Sequence, residues 1–151
     1  MPLCRFTRTD PCVMPVKRAI SIPVASCENL MTARAYKPYF ERHAMDVALV
    51  DVVWNGLLEA RKIADMAEVY EMQVATHGHH SPLGSCISAT FAAITPNYKR
   101  MEIDVDVVPW QDDFFSDKPR IEAGHYVLSS KPGWGTDLVE SELAKRPWPR
   151  P

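Results

Sequence analysis

The 151-residue chain lacks most of the features that commit a sequence to a special environment. No apolar run approaches the ~18 residues of a membrane-spanning helix, so no membrane partner is expected. Near the start, Arg5, Arg8 and Asp10 interrupt any stretch that could serve as the apolar core of a secretory signal. The four cysteines, Cys4, Cys12, Cys27 and Cys86, form no C-x-x-C pair and no dense framework. A reduced cytoplasm is therefore the expected compartment. Charge of one sign is missing as well: a net charge of -2 and a pI near 6.2 give no electrostatic reason to expect nucleic acid or an anionic membrane. Internal sequence repeats are not evident. What remains, 46% hydrophobic and 24% charged residues, is the composition of one globular domain whose partners are small molecules or proteins.

Residues 1–19 have no sustained period, and Thr-Arg-Thr-Asp-Pro-Cys-Val-Met-Pro interrupts helix formation, which predicts an irregular, poorly packed arm. Ile22 to Ser26 reads as a short strand running into Cys27-Glu28-Asn29. Leu30, Ala33, Tyr36, Phe40 and Ala44 recur at helical intervals, with Pro38 expected to kink or reset the helix. Val47-Ala48-Leu49-Val50 is a continuous apolar run, the signature of a strand covered on both faces, and Asp51 closes it. Residues 52–56 read as a loop ending in Asn-Gly, and Leu57 to Glu71 as the clearest helix. The strand Gln73 to Thr76 stops at His77, a helix is expected over Gly84 to Thr95, and a fourth strand, Arg100 to Ile103, carries Glu102. Beyond an acidic and aromatic stretch, Arg120 to Ser129 reads as a hairpin turning near Ala123-Gly124, with a last amphipathic piece from Asp137 to Lys145.

Four strand ends thus carry an ionisable residue, Glu28, Asp51, His77 and Glu102, spaced 23, 26 and 25 residues apart. About 25 residues per strand and helix is the period of parallel βαβ construction, in which every strand points the same way. The fold class expected is α/β: a partial (β/α) barrel of TIM type with about four parallel strands, their helices, and a C-terminal hairpin tail. In such a barrel the four groups converge on the C-terminal rim, where active sites sit. Each has a plainer reading. Glu28 and Asp51 taken alone read as helix caps or solvated loop charges, His77 as a hydrogen-bonded loop histidine, and Glu102 as a partner of Arg100 or Lys99. His79 and His80 beside His77 read better as a solvated loop than as a metal cluster, because no cysteine or distant histidine supports them.

Val-Ala-Ser-Cys-Glu-Asn-Leu (24–30), Asp-Val-Ala-Leu-Val-Asp-Val-Val-Trp-Asn-Gly-Leu-Leu-Glu-Ala-Arg-Lys-Ile-Ala (46–64), Val-Ala-Thr-His (74–77) and Pro-Asn-Tyr-Lys-Arg-Met-Glu-Ile (96–103) resemble the later barrel strands of the enolase superfamily. The resemblance is to its mandelate racemase and muconate-lactonizing branch, and there to acid-sugar dehydratase-like members. It runs from about residue 20 to 148, leaving 1–19 as an arm and 149–151 as a tail. It implies a Mg²⁺-dependent enzyme that removes the proton α to the carboxylate of a hydroxy acid or acid sugar, with dehydration to a 2-keto-3-deoxy acid or racemisation as the outcome. Glu28 matches the last of three metal-binding carboxylates, and Asp51 and His77 match a dyad in which aspartate orients the histidine acid/base. Glu102 matches the group that hydrogen-bonds the substrate carboxylate or enediolate. A histidine near its ordinary pKa of ~6.5 suits that role at neutral pH.

The first two metal carboxylates, the lysine-bearing strand and the capping domain of that family have no counterpart in this sequence, and Cys27 stands where the family usually has glycine. The Mg²⁺ site is therefore incomplete in this chain, since the ion takes about six oxygens. Two readings result: the C-terminal half of a hydroxy-acid dehydratase or racemase that works with a homo-oligomeric partner or the remainder of the barrel, or a truncated, inactive half-barrel serving as an interaction module.

Overall fold

A computed structural model describes residues 13–104 and 110–146. In chain order the elements are α1 (Val13–Ala19), β1 (Ala25–Ser26), α2 (Ala33–Glu41), β2 (Val47–Val50), α3 (Val52–Asn55), α4 (Leu57–Val69), β3 (Gln73–Thr76), α5 (Pro82–Ala93) and β4 (Tyr98–Met101). A 3₁₀ turn (Gln111–Phe114), the hairpin β5 (Ile121–Glu122) and β6 (His125–Tyr126), and α6 (Glu140–Lys145) complete the order. β1 to β4 form one parallel sheet in sequence order, the arc of a partial barrel.

The alternation of side chains along a strand explains how the sheet divides its two faces. Ala48 and Val50 of β2 and Val74 of β3 join the main core cluster with Tyr36 and Phe40 of α2 and with Ala60, Ile63, Ala64 and Ala67 of α4. The alternate residues Val47, Leu49 and Ala75 lie outside that cluster, on the face that a closed barrel would turn inward. The helix stripe of α4 is mostly alanine, so its axis can approach the sheet closely. α2 supplies the bulk instead, with Tyr36 and Phe40 wholly buried and their rings 5.8 Å apart. Removing a buried phenylalanine such as Phe40 costs on the order of 3–5 kcal/mol. The Tyr36 hydroxyl donates to the Leu49 carbonyl at 2.7 Å, which keeps a polar tip satisfied inside this packing.

β3 and β4 pair with a register shift: Val74 faces Tyr98, but Ala75 faces Arg100, so Lys99 is skipped. Such an extra residue bends a strand and re-aims the side chains beyond it.

Several expectations need correction. Residues 13–19 of the expected irregular arm form α1, and Lys17 secures it by donating to the carbonyls of His43 and Met45 at 3.0 Å each and pairing with Asp46 at 3.0 Å. Pro15 lies in the first turn, where its missing N–H costs nothing; residues 1–12 lie outside the described residues. Residues 52–55 form a helical turn, α3, rather than a loop, ended by Gly56 at φ +75°. α2 continues through Pro38 without a break. The hairpin turns where expected, with Ala123 and Gly124 both at positive φ. The tail 149–151 lies outside the described residues.

Candidate active site

The site begins with the end of β2. Asp51 is completely buried, and its backbone leaves the strand to start α3. Oδ1 accepts the Trp54 backbone N–H at 2.8 Å, so the carboxylate caps the helical turn. Oδ2 is turned to the next strand end. There the His77 N–H of the backbone bonds the Val50 carbonyl at 3.0 Å, which sets His77 level with Asp51, and its Nδ1 lies 2.9 Å from Oδ2. An ionised carboxylate can only accept, so Nδ1 carries the proton and Nε2 is left with the lone pair. The plainer reading of Asp51 as a cap and the functional one as a dyad member are both true, one oxygen each.

His80 brings a second imidazole to the same oxygen. Its Nε2 lies 2.8 Å from Asp51 Oδ2, and its ring stands edge-on to that of His77 with centroids 5.9 Å apart. The Trp54 ring flanks both, at 6.2 Å from His77 and 6.5 Å from His80. The expectation of a solvated loop thus fails for His80, whose side chain is 14% exposed, and holds for His79, which is 80% exposed and meets Asp104 at 3.3 Å. The three-residue step from His77 across Gly78 lets the chain turn back before α5, a reversal that the sequence pattern alone does not reveal. Among the described residues, ligand atoms of Asp51, His77 and His80 lie within 4.8 Å of one another. The trio is nevertheless complete as a carboxylate accepting two imidazole N–H groups.

Glu102 stands at the end of β4. Its backbone N–H bonds the Thr76 carbonyl at 3.1 Å, and its carboxylate Oε2 accepts the Gly78 N–H at 3.3 Å rather than pairing Arg100 or Lys99. Gly78 is required: a Cβ there would fall 1.9 Å from the Glu102 carbonyl oxygen. Glu28 comes after β1 on a turn closed by Leu30 N–H to Cys27 carbonyl at 3.0 Å, and its Oε1 accepts from Asn29 at 3.0 Å. Cys27 takes φ +88°, the left-handed region that suits glycine, and burial, then the charge of Glu28, pushes its thiol up to about 12. Asn55 joins this turn to the Asp51 turn. Its amide donates to the Asp51 and Leu30 carbonyls at 2.9 and 3.3 Å, and its oxygen accepts the Thr32 N–H at 2.8 Å.

The four residues thus occupy four successive strand ends of one parallel sheet, and direct contact joins Asp51 to His77 and the His77–Gly78 loop to Glu102. A cleft of about 390 Å³ lies elsewhere, between α5 and the hairpin around Cys86, Arg120 and Tyr126, and none of the four lines it.

The sequence pattern of the family described as Enolase C-terminal domain-like matches residues 12–142. The chain belongs to that family. This enolase-superfamily domain is 33% identical over 135 residues to the D-xylonate dehydratase of Haloferax volcanii, covering 86% of this chain and 33% of that protein. It is 30% identical over 131 residues to the D-gluconate/D-galactonate dehydratase of Picrophilus torridus, covering 85% of this chain and 33% of the other. Among solved structures, a Burkholderia xenovorans strain LB400 protein bound to magnesium and fumarate superposes with a TM-score of 0.88 at 36% identity, over 95% of this chain and 35% of that one. The chain therefore spans about a third of the length of the relatives it matches.

Magnesium, present in that neighbour, can be tested against the residues here. Glu28 has one oxygen bonded by Asn29, and it belongs to no cluster of three or more ligating side chains among the described residues. One such side chain does not fit a Mg²⁺ site, which asks for near-octahedral oxygen ligation.

Proposed function

We propose that this domain supplies the proton-transfer half of a Mg²⁺-dependent enzyme acting on a hydroxy acid or acid sugar. The observation that carries the reading is the Asp51–His77 pair, 2.9 Å apart at adjacent strand ends with the carboxylate fully buried. Asp51 holds the Nδ1–H tautomer, so the Nε2 lone pair is available as a base and the imidazolium that results is stabilised by the same carboxylate. The Cα–H bond of the substrate breaks with its proton passing to Nε2. Departure of the neighbouring hydroxyl, taking up a proton to leave as water, gives an enol that becomes a 2-keto-3-deoxy acid. Return of a proton to the opposite face gives racemisation. Glu102 stands one strand further along, where in its protonated form it can donate a hydrogen bond to the substrate carboxylate or the enediolate. The dehydratase names of the relatives favour dehydration.

Glu28 would contribute one ligand to a metal ion otherwise held by residues outside this chain, whether from a second copy or from the rest of a barrel. Free thiols at Cys27 and Cys86 accord with a reduced cytoplasmic setting. In an assembled enzyme, His77→Asn should lower exchange of the substrate α-proton with D₂O, monitored by NMR, by at least ~10²-fold while leaving Mg²⁺ binding nearly intact. Unchanged exchange removes His77 from the reaction.

A second reading, an inactive half-barrel acting as an interaction module, is favoured by Glu28 belonging to no cluster of three ligating side chains and by the outer edges of β1 and β4, which no other strand among the described residues pairs. Native mass measurement with a Mg²⁺ titration separates the two. A metal-stabilised assembly supports the enzyme, and an aggregating chain indifferent to metal supports the module.

A further inference from the structure

His80 is one proton donor more than an aspartate–histidine dyad needs. It reaches the oxygen that orients His77, on a side chain that is only 14% exposed, and the fold makes room for it. Gly84 on α5 packs against it so closely that a Cβ there would fall 2.4 Å from the His80 Cβ. Ser81 and Pro82 immediately start α5, so the residue before them has little freedom to swing away. Its Nε2 rather than Nδ1 faces Asp51, which fixes His80 as the Nε2–H tautomer, the opposite of His77.

We propose that His80 is a positioning residue for His77, acting through the Asp51 oxygen that both imidazoles share. This rests on the reading of His77 as the base. The sharing has two consequences. Oδ2, held by two donors while Oδ1 is held by Trp54, cannot rotate, so the direction in which His77 presents Nε2 is set. The second donor also draws on the negative charge that would otherwise favour the His77 imidazolium, and when His80 is itself protonated the two cations repel. The groups facing His77 are Asp51 from the end of β2, the Trp54 ring from α3, His80 from its own loop and, one residue along, the Glu102 carboxylate on Gly78.

The test is ¹⁵N NMR of the imidazole nitrogens in the full 151-residue chain, titrated as wild type, His80→Phe and His80→Gln. Removing the donor should raise the His77 midpoint by about 0.5–1 pH unit. Glutamine places an amide N–H close to the position of Nε2 and should bring the midpoint back to within about 0.3 unit of wild type. Superimposable His77 titrations in wild type and His80→Phe overturn the proposal, as does a glutamine variant that behaves like the phenylalanine one. If the phenylalanine variant does not fold, the wild type decides alone: His80 must titrate as the Nε2–H tautomer and perturb the His77 resonances as it does so. These readings need no substrate, so their failure is distinct from a failure of α-proton exchange, which would count against the functional reading itself.

Discussion

Asp51→Asn replaces one atom and removes one charge at a position with no exposure to solvent. The carboxylate accepts three N–H groups, from Trp54 at 2.8 Å, His77 at 2.9 Å and His80 at 2.8 Å. An asparagine side chain has one accepting oxygen and one donating NH₂. With the oxygen in the Oδ2 position, both imidazoles are satisfied but the NH₂ meets the Trp54 N–H, and the cap of α3 is lost. With the amide turned round, the cap survives and both imidazoles face a donor, so each must give up the proton on that nitrogen. The first arrangement orphans the Trp54 N–H, a cost of about 1–3 kcal/mol, the range that also covers loss of a helix cap, and the second moves the proton of both imidazoles to the other ring nitrogen. Urea unfolding monitored by tryptophan fluorescence should show that loss, and ¹⁵N imidazole shifts should tell the two arrangements apart. In an assembled enzyme the turned amide would hold the wrong His77 tautomer, and turnover should fall by about 10³–10⁴-fold. Unfolding within about 0.5 kcal/mol of wild type, together with an unchanged Nδ1–H signal from His77, would refute the account of Asp51 as a threefold acceptor.

Two further substitutions test the frame around the dyad. Gly78→Ala drives a methyl group to 1.9 Å from the Glu102 carbonyl oxygen, backbone against backbone, so the loop after β3 and the end of β4 must part at a cost of about 1–3 kcal/mol, measurable by urea unfolding. Asp46 is held below the usual carboxylate range first by the Val24 N–H at 2.8 Å and then by Lys17. Its contribution is present above the unfolded-state pKa and is lost as pH falls through the lower folded-state value, so Asp46→Asn should narrow the stability difference between pH 7 and pH 3. Thermal melts at the two pH values check this.

The repeating unit of the fold was legible because each strand announced itself and stopped at a charge. Gln73 to Thr76 and Val47 to Val50 are strands where expected, whereas only the last two residues of 22–26 are strand and the fourth strand, Tyr98–Met101, comes two residues before the expected 100–103. Helical reading failed where length was short and packing supplied the reason for structure. α3 exists because Asp51 caps it, and α1 because Lys17 finds two carbonyls and a carboxylate 26 to 29 residues away, contacts that no local pattern encodes. The site divides in the same way. Asp51 and His77 could be named from spacing and family resemblance, whereas His80 could not, because its role depends on a turn tight enough to reverse direction within three residues and on the absence of a side chain at Gly84. The unusual backbone at Cys27 was foreshadowed only by the departure from glycine there, and the positive φ supplies its meaning.

The skipped residue in the pairing of β3 with β4 has a consequence for chemistry. Counting straight across from Val74 and Tyr98 without the extra residue would bring Met101 abreast of His77 and carry Glu102 one place past it, onto the side occupied by the helices. With Lys99 looped out, Glu102 comes directly after the residue opposite Thr76 and lands beside the His77–Gly78 peptide, on the side of Asp51. A thioether or a carboxylate would be offered to whatever enters there depending on a single unpaired position. That one position decides the acid–base character of the opening and keeps a carboxylate off the helix-covered face.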